Sequence, residues 1–209
     1  MKTLTRAGSL VAIAAMAVAS QANLFSNGGF EAYSTSAADG GGIGPGYFTY
    51  NAGNAGLNDW TIGGTSVDIV TVPPGIYPIF AGNASLDLLG TPGPGSISQS
   101  IATVVGQSYD ISFWAQANAA GINQTVNLEA IGAATQATSF TVAVGTWTQY
   151  TWSFVADSAS TNIRFSSDPL NAGNGNTFID NVEAVPEPMS MTALALGLAA
   201  LARRRARKA

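Results

Sequence analysis

Residues Ser108 to Ala117 read Ser-Tyr-Asp-Ile-Ser-Phe-Trp-Ala-Gln-Ala, and no other stretch restricts the fold as strongly. Tyr109, Ile111, Phe113 and Ala115 point one way while Asp110, Ser112, Trp114 and Gln116 point the other, the two-residue period of a strand with one buried face. The same alternation returns in Val67 to Val72, Ala84 to Leu89, Ser96 to Val104, Gln124 to Ile131, Ser139 to Val144, Thr148 to Ala156, Asn162 to Ser166 and Thr177 to Ala184. Shorter strands are predicted at Asn23 to Ser26 and Leu57 to Ile62. Turn signals such as Pro73-Pro74-Gly75 and Thr91-Pro92-Gly93-Pro94-Gly95 separate them, and no window carries a helical period. Strands spaced about 8 to 12 residues apart predict an all-β domain, an antiparallel β-sandwich. Ser34 to Gly56, rich in Gly, Ala and Asn, is predicted to be a long loop with Tyr47, Phe48 and Tyr50 embedded in it. Gln99 shares a face with Ile97 and Ile101, so it is predicted to be a buried amide that needs partners.

Charge is distributed unevenly. Of eight basic residues two precede the strands and five follow them, which leaves Arg164 alone against twelve acids between Glu31 and Glu187, a side-chain charge of −11. Nucleic acids and anionic lipids are bound by Lys and Arg, so neither is an expected partner of this domain. There is no Cys and no His. Disulfides, a Ser-His-Asp or Cys-His centre and an ordinary zinc site are excluded with them. An apolar content of 46% supplies enough to bury, which argues against disorder despite 24 glycines.

The two ends carry targeting signals. Lys2 and Arg6, the apolar run Leu10 to Ala19 and the small-residue site Ser20-Gln21-Ala22 read as a signal peptide over 1–22, so the mature chain is expected to begin at Asn23. At the other end, Pro186 and Pro188 stop the last strand, and an uncharged apolar helix is predicted from Met189 to Ala202. Its residues rise about 21 Å, short of the roughly 30 Å hydrocarbon core. Arg203, Arg204, Arg205, Arg207 and Lys208 follow and are expected to stay cytoplasmic. Pro186-Glu187-Pro188, a short apolar helix and an Arg cluster in that order resemble the PEP-CTERM sorting signal of bacterial surface proteins, here over 185–209. The resemblance implies export, handling by an exosortase at Val185 to Pro188, a transient inner-membrane stage, and a final place on the cell surface or in the extracellular matrix. A plain membrane anchor is the other reading of this segment.

Between the signals, over 23–184, Asn27-Gly28-Gly29-Phe30-Glu31, Trp60, Ser85-Leu86-Asp87-Leu88, Ile97-Ser98-Gln99, Tyr109-Asp110-Ile111-Ser112-Phe113, Trp147 with Trp152-Ser153-Phe154, and Phe178-Ile179-Asp180-Asn181-Val182 occur in one order. That order resembles the galactose-binding-like jelly rolls: carbohydrate-binding modules and the related domain of plant cell-wall and bacterial choice-of-anchor proteins. It implies a non-catalytic jelly roll, a tendency to bind sugar, and often a structural calcium.

Individual residues admit two roles each. Trp152, beside Tyr150 and Phe154 on one face, and Trp60 are expected in the core. Trp114 faces away from Ile111 and Phe113, so it either stacks on a neutral sugar with Gln116 bonding its hydroxyls or packs under a crossing loop. Tyr47, Phe48 and Tyr50 form a sugar-contacting lip or merely pin their loop. Asp180 alternates with Phe178 and Val182 and is expected to look inward, where an ionised carboxylate must be satisfied. Arg164 points outward, which leaves backbone donors or, with first and last strands paired as in the resembled jelly roll, a Ca²⁺ shared with Glu31. The function read from all this is an exported surface protein that binds polysaccharide. A matrix protein with no small ligand and a carboxylate-based glycosidase are the alternatives.

Overall fold

The computed structural model describes residues 22–72, 75–118, 124–168, 175–187 and Arg203. Among them the alternating stretches become twelve strands: β1 (Gly40–Gly42), β2 (Tyr47–Asn51), β3 (Thr61–Gly64), β4 (Ser66–Thr71), β5 (Ala84–Asp87), β6 (Gly95–Ala102), β7 (Ser108–Ala117), β8 (Thr125–Ile131), β9 (Thr135–Thr141), β10 (Thr148–Val155), β11 (Ser160–Ser167) and β12 (Thr177–Pro186). Two sheets result, one ordered β1-β2-β4-β5-β12-β7-β10 and the other β3-β6-β11-β8-β9, with antiparallel ladders throughout. The all-β sandwich is therefore the architecture observed.

The inward faces meet in one core. Phe113 of β7 is fully buried, stacks on Tyr150 of β10 at 5.6 Å and meets Phe165 of β11 edge-on at 5.3 Å, so a single ring ties the two sheets together. Trp60 sits among Phe25, Phe30 and Phe165, and its indole N–H donates to the Asn27 carbonyl at 3.0 Å. Truncating Phe113 to Ala would cost about 3 to 5 kcal/mol by the usual cost of emptying such a site. Every residue of the core lies between Phe25 and Ala184, within the compact unit Ala22–Glu187, so this unit closes on its own hydrophobic interior.

Several local predictions are met and several are corrected. β7 spans Ser108 to Ala117 as predicted. Gln99 is fully partnered: its amide N–H groups donate to the carbonyls of Ser26 and Asp59, and its oxygen accepts from Ser26 N. Asn23 to Ser26 forms no strand. It is nonetheless tied along the second half of β12 by Leu24 N to Ala184 O and by the Asn23 side chain on Val182 and Ala184. Gly28 is required there, since a Cβ would lie 2.1 Å from the Val182 carbonyl oxygen. The stretch predicted as a long loop, Ser34 to Gly56, contains β1 and β2. Its glycines mask a five-residue alternation, Tyr47 to Asn51, that becomes a strand by pairing with β4. β9 begins at Thr135, not Ser139, because the turn at Gly132 sets its register against β8, with Ile131 opposite Thr135. Both its faces are largely polar, so hydrophobic pattern located only its apolar end.

Candidate functional site

Residues directly opposite each other in an antiparallel ladder point to the same side of the sheet. In the seven-stranded sheet this places Tyr47, Thr49, Asp68, Asp87, Phe178, Asp180, Trp114, Gln116 and Gln149 on the outer face, away from the inter-sheet core. Phe178 and Asp180 therefore do not look into the sandwich as predicted. The ladder slips between Asp180 and Glu183, with Asn181 in the left-handed region at φ 47, and this bulge returns Val182 to the core while leaving Asp180 outside it.

The segment 75–83 crosses this outer face and makes it a second interior. Tyr77 lies 6.2 Å from Tyr47 and 5.9 Å from Phe178, ring to ring. Phe80 stacks on Trp114 at 4.1 Å and 15°, with Trp147 leaning on Phe80 at 5.8 Å. Trp114 thus packs under the crossing segment. It stays half-buried, as do Phe80 and Trp147, and the three rings form an aromatic corner beside the half-buried Gln116 and the exposed Gln149.

Two carboxylates hold the crossing segment. Asp180 is fully buried; its Oδ2 accepts from Phe80 N at 3.2 Å and Ala81 N at 3.0 Å, and its Oδ1 from Asn181 N at 2.7 Å. Glu31 Oε1 accepts from Asn83 N at 2.8 Å and Ala84 N at 3.1 Å. Gly82, at φ 69, lets the chain pass this close, since a Cβ there would sit 2.1 Å from Glu31 Oε1. Burial pushes the Asp180 carboxyl up to about 6; the N–H donors oppose this and the Glu31 charge adds to it. Glu31 and Asp180 are thus brought to one turn, as the resemblance implied, but the groups against them are hydrogen-bearing nitrogens. A Ca²⁺ shell is six to eight oxygens, so this arrangement does not fit the ion.

A further pair escaped the sequence analysis. Asp68 and Asp87 face each other across β4 and β5, both buried. Asp68 accepts from the Thr91 hydroxyl at 2.9 Å and Thr91 N at 3.3 Å; Asp87 accepts from Leu89 N at 2.9 Å, Thr177 N at 3.0 Å and the Asn176 amide. Burial raises both carboxyls, Asp87 well above the usual range, with the charge of Asp68 adding to it. Leu89, Thr91, Pro92 and Asn176 line an open cavity of about 290 Å³ above them. Alternation sets these acids opposite the core-facing Val67, Ile69, Leu86 and Leu88, and only the loops that cover them decide that outward is dry.

The outer face of the five-stranded sheet is built otherwise. Asn127, Glu129, Ser139 and Ser166 line a shallow cavity of about 380 Å³, and Glu129 accepts from Arg164, which points outward as predicted. Among the predicted lip residues Tyr47 is half-buried against Tyr77, but Tyr50 must be corrected. Tyr50 occupies an inward position of β2, is fully buried, donates its hydroxyl to Ser34 O at 3.1 Å, and has that hydroxyl pushed up to about 12 by burial. Phe48 is buried on the same side. Phe80 and Trp147 were missed as site residues; their signal was a large aromatic side chain in a connection between strands, beside Ile76, Tyr77 and Ile79 for Phe80 and beside Gly145 and Thr146 for Trp147. Pro186 closes β12 and Glu187 N donates to Ser108 O at 2.9 Å, while Arg203 is helical and exposed. Pro188, Met189, Ala202, Arg204 and Arg205 lie outside the described residues, as does the signal peptide through Gln21.

Comparison with solved structures gives the fold. TmCBM61 in complex with beta-1,4-galactotriose is similar at TM-score 0.50 and 14% identity, over 79% of this chain and 99% of that one. A cyclase from Fischerella sp. TAU is similar at TM-score 0.58 and 13% identity, over 81% and 98%. No curated protein sequence matches the chain. Residues 184–208 match the model of the PEP-CTERM protein-sorting motif, which indicates export and surface sorting and implies exosortase processing. Residues 23–183 match the model described as "Protein of unknown function (DUF642)", and the chain belongs to that family.

Proposed function

We propose that this is a non-catalytic surface protein whose sandwich holds a neutral polysaccharide at the corner formed by Trp114, Phe80 and Trp147. The carrying observation is the face-on stack of Phe80 on Trp114 with Trp147 beside it, all half-exposed and flanked by Gln116 and Gln149. Rings offer apolar area to the faces of a sugar and amides bond its hydroxyls, a pairing that needs no charge. The sugar named with TmCBM61 supports the ligand class without choosing it. Gln116 borders the corner on β7, Tyr47 lies on the same sheet face but four strands away against Tyr77, and Tyr50 plays no part in it. Hydrolysis is disfavoured because Asp68, Asp87 and Asp180 are buried and engaged with N–H and hydroxyl donors, whereas a glycosidase pair must reach its substrate. The experiment is a glycan array on residues 22–187. Trp147→Ala should lose the signal at unchanged melting temperature, and an array with no hit at all would leave the matrix protein without a small ligand.

Sorting belongs to the same reading. The exosortase acts near Pro186-Glu187-Pro188 while Met189 to Ala202 and the Arg cluster hold the chain at the inner membrane, after which the domain is delivered to the surface or matrix. Replacing Arg203, Arg204 and Arg205 together by Ala should abolish processing. A normal rate of cleavage and release in that variant would favour a plain anchor.

A further inference from the structure

The folded unit and the sorting signal overlap. Residues 184–208 match the sorting motif, yet β12 runs to Pro186 and stays paired with β7, with Ala184 opposite Ile111, Val185 opposite Asp110 and Pro186 opposite Tyr109. Glu187 N then donates to Ser108 O at 2.9 Å. Bonded and non-bonded pairs alternate in an antiparallel ladder, so Val185 and Glu187 turn their backbone groups to β7. Pro186, between them, turns its nitrogen away from β7, the one side on which a missing N–H breaks no ladder bond. Three of the four residues from Val185 to Pro188 are therefore part of the sheet.

The other side of β12 limits how far this end can open. Ala184 O accepts from Leu24 N, and Asn23 grips the strand beside it, its Oδ1 accepting from Ala184 N and its amide donating to Val182 O. Val182 and Ala184 are fully buried, whereas Val185, Pro186 and Glu187 are half-buried. Opening that goes past Ala184 breaks the Asn23 clasp and enters the core, and opening that stops there breaks only the end of one ladder. The outer edge of these three residues presents the Pro186 carbonyl and no N–H, so another chain cannot pair with it by the usual exchange of bonds.

We propose that the exosortase takes the motif only after Val185, Pro186 and Glu187 peel from β7, which makes the closed end of β12 a gate on sorting. The proposal rests on the sorting role given to this segment above. An enzyme that acts on a peptide bond near Pro186-Glu187-Pro188 binds the extended backbone beside that bond and must reach its carbonyl, and β7 already holds those groups. Local opening of a terminal segment costs far less than unfolding the unit, so the gate slows processing without abolishing it. The three freed residues also add about 10 Å of extended chain between the folded unit and Pro188.

The test uses the full chain in cells that contain the exosortase, with the processed fraction followed in time. The chain has no Cys, so Val185→Cys with Asp110→Cys installs a single pair across a bonded position, where Cα atoms lie about 5.5 Å apart and within disulfide reach. Asp110 also accepts from the Ser153 hydroxyl, so each single variant is a control. The oxidised pair, its disulfide verified by mass, should be processed roughly tenfold more slowly or worse than the same chain after reduction, and both single variants should keep the unaltered rate under either condition. A Gly-Ser-Gly-Ser insertion between Ala184 and Val185, which carries the motif clear of β7, should be processed at least as fast as the unaltered chain, and it decides the matter even where the pair does not close. Equal rates for the oxidised and reduced pair, or slower processing of the insertion variant, would overturn the gate, the motif then being read where β7 holds it. Processing that survives replacement of Arg203, Arg204 and Arg205 by Ala would instead remove the sorting reading, and the gate with it.

Discussion

The outer faces of the two sheets start from the same alternation and end as opposites. On the five-stranded sheet Ser98, Ser100, Asn162 and Arg164 occupy outward positions and meet water, and the ion pair Arg164–Glu129 is partly exposed. On the seven-stranded sheet the corresponding positions hold Asp68, Asp87, Phe178 and Asp180, all buried beneath the segment 75–83 and the loops around Thr91 and Asn176. Alternation assigns a side chain to a side of the sheet. Whether that side is wet depends on which connection crosses it, and the acids of the covered face pay the desolvation that those of the open face avoid.

The sharpest way to break this comparison is to remove one acid from each face. Asp87→Ala strands three donors in a dry site and should cost about 3 to 5 kcal/mol in chemical denaturation, whereas Glu129→Ala should cost less than about 1 kcal/mol. Comparable losses from the two variants would show that the covered face is wet after all.

Next in size is the pH dependence. The folded Asp180 carboxyl is raised to about 6 from an unfolded value of 3.8, so the folded state binds the proton more tightly. Stability from this group is fully present below about pH 4 and is lost as pH rises through about 6, a fall on the order of 2 to 3 kcal/mol, with Asp68 and Asp87 shifted the same way. Melting curves should therefore place the midpoint higher at pH 5 than at pH 7.5, and Asp180→Asn should flatten the difference. A midpoint that rises from pH 5 to 7.5 would contradict the burial of these groups.

Smaller again is the effect at the aromatic corner. Trp147→Ala should weaken the bound glycan by about 1 to 2 kcal/mol, and Phe80→Ala should add a modest loss of stability because Phe80 also covers Trp114. Equal effects of both on melting, with none on binding, would reduce the corner to a lid on the second interior. The smallest effect concerns calcium. With Glu31 and Asp180 satisfied by N–H donors, a chelator should leave the melting curve unchanged, and a drop restored by Ca²⁺ better than by Mg²⁺ would put the ion back between them.

Local chemistry made much of the fold legible. β7, β4 and β12 follow from alternation. Where both faces of a strand are polar, as in β9, or where glycines surround a short run, as around β2, pattern lost the strand because ladder pairing formed it. The site was legible only in part. Trp114 was marked as outward-facing, but its partners Phe80 and Trp147 come from connections 34 and 33 residues away on either side.

By itself the sequence determined an all-β sandwich, an acidic domain without thiol or imidazole chemistry, and a sorting motif at its end, because each of these rests on residue type and near-neighbour spacing. Only the tertiary structure decided that Tyr50 is core, that Asp68 and Asp87 share a dry face, that backbone N–H groups serve Asp180, and that β10 is left at an edge. Those outcomes depend on which distant segments cover which face, and the free energy of covering is set by contacts between residues that lie far apart in the chain.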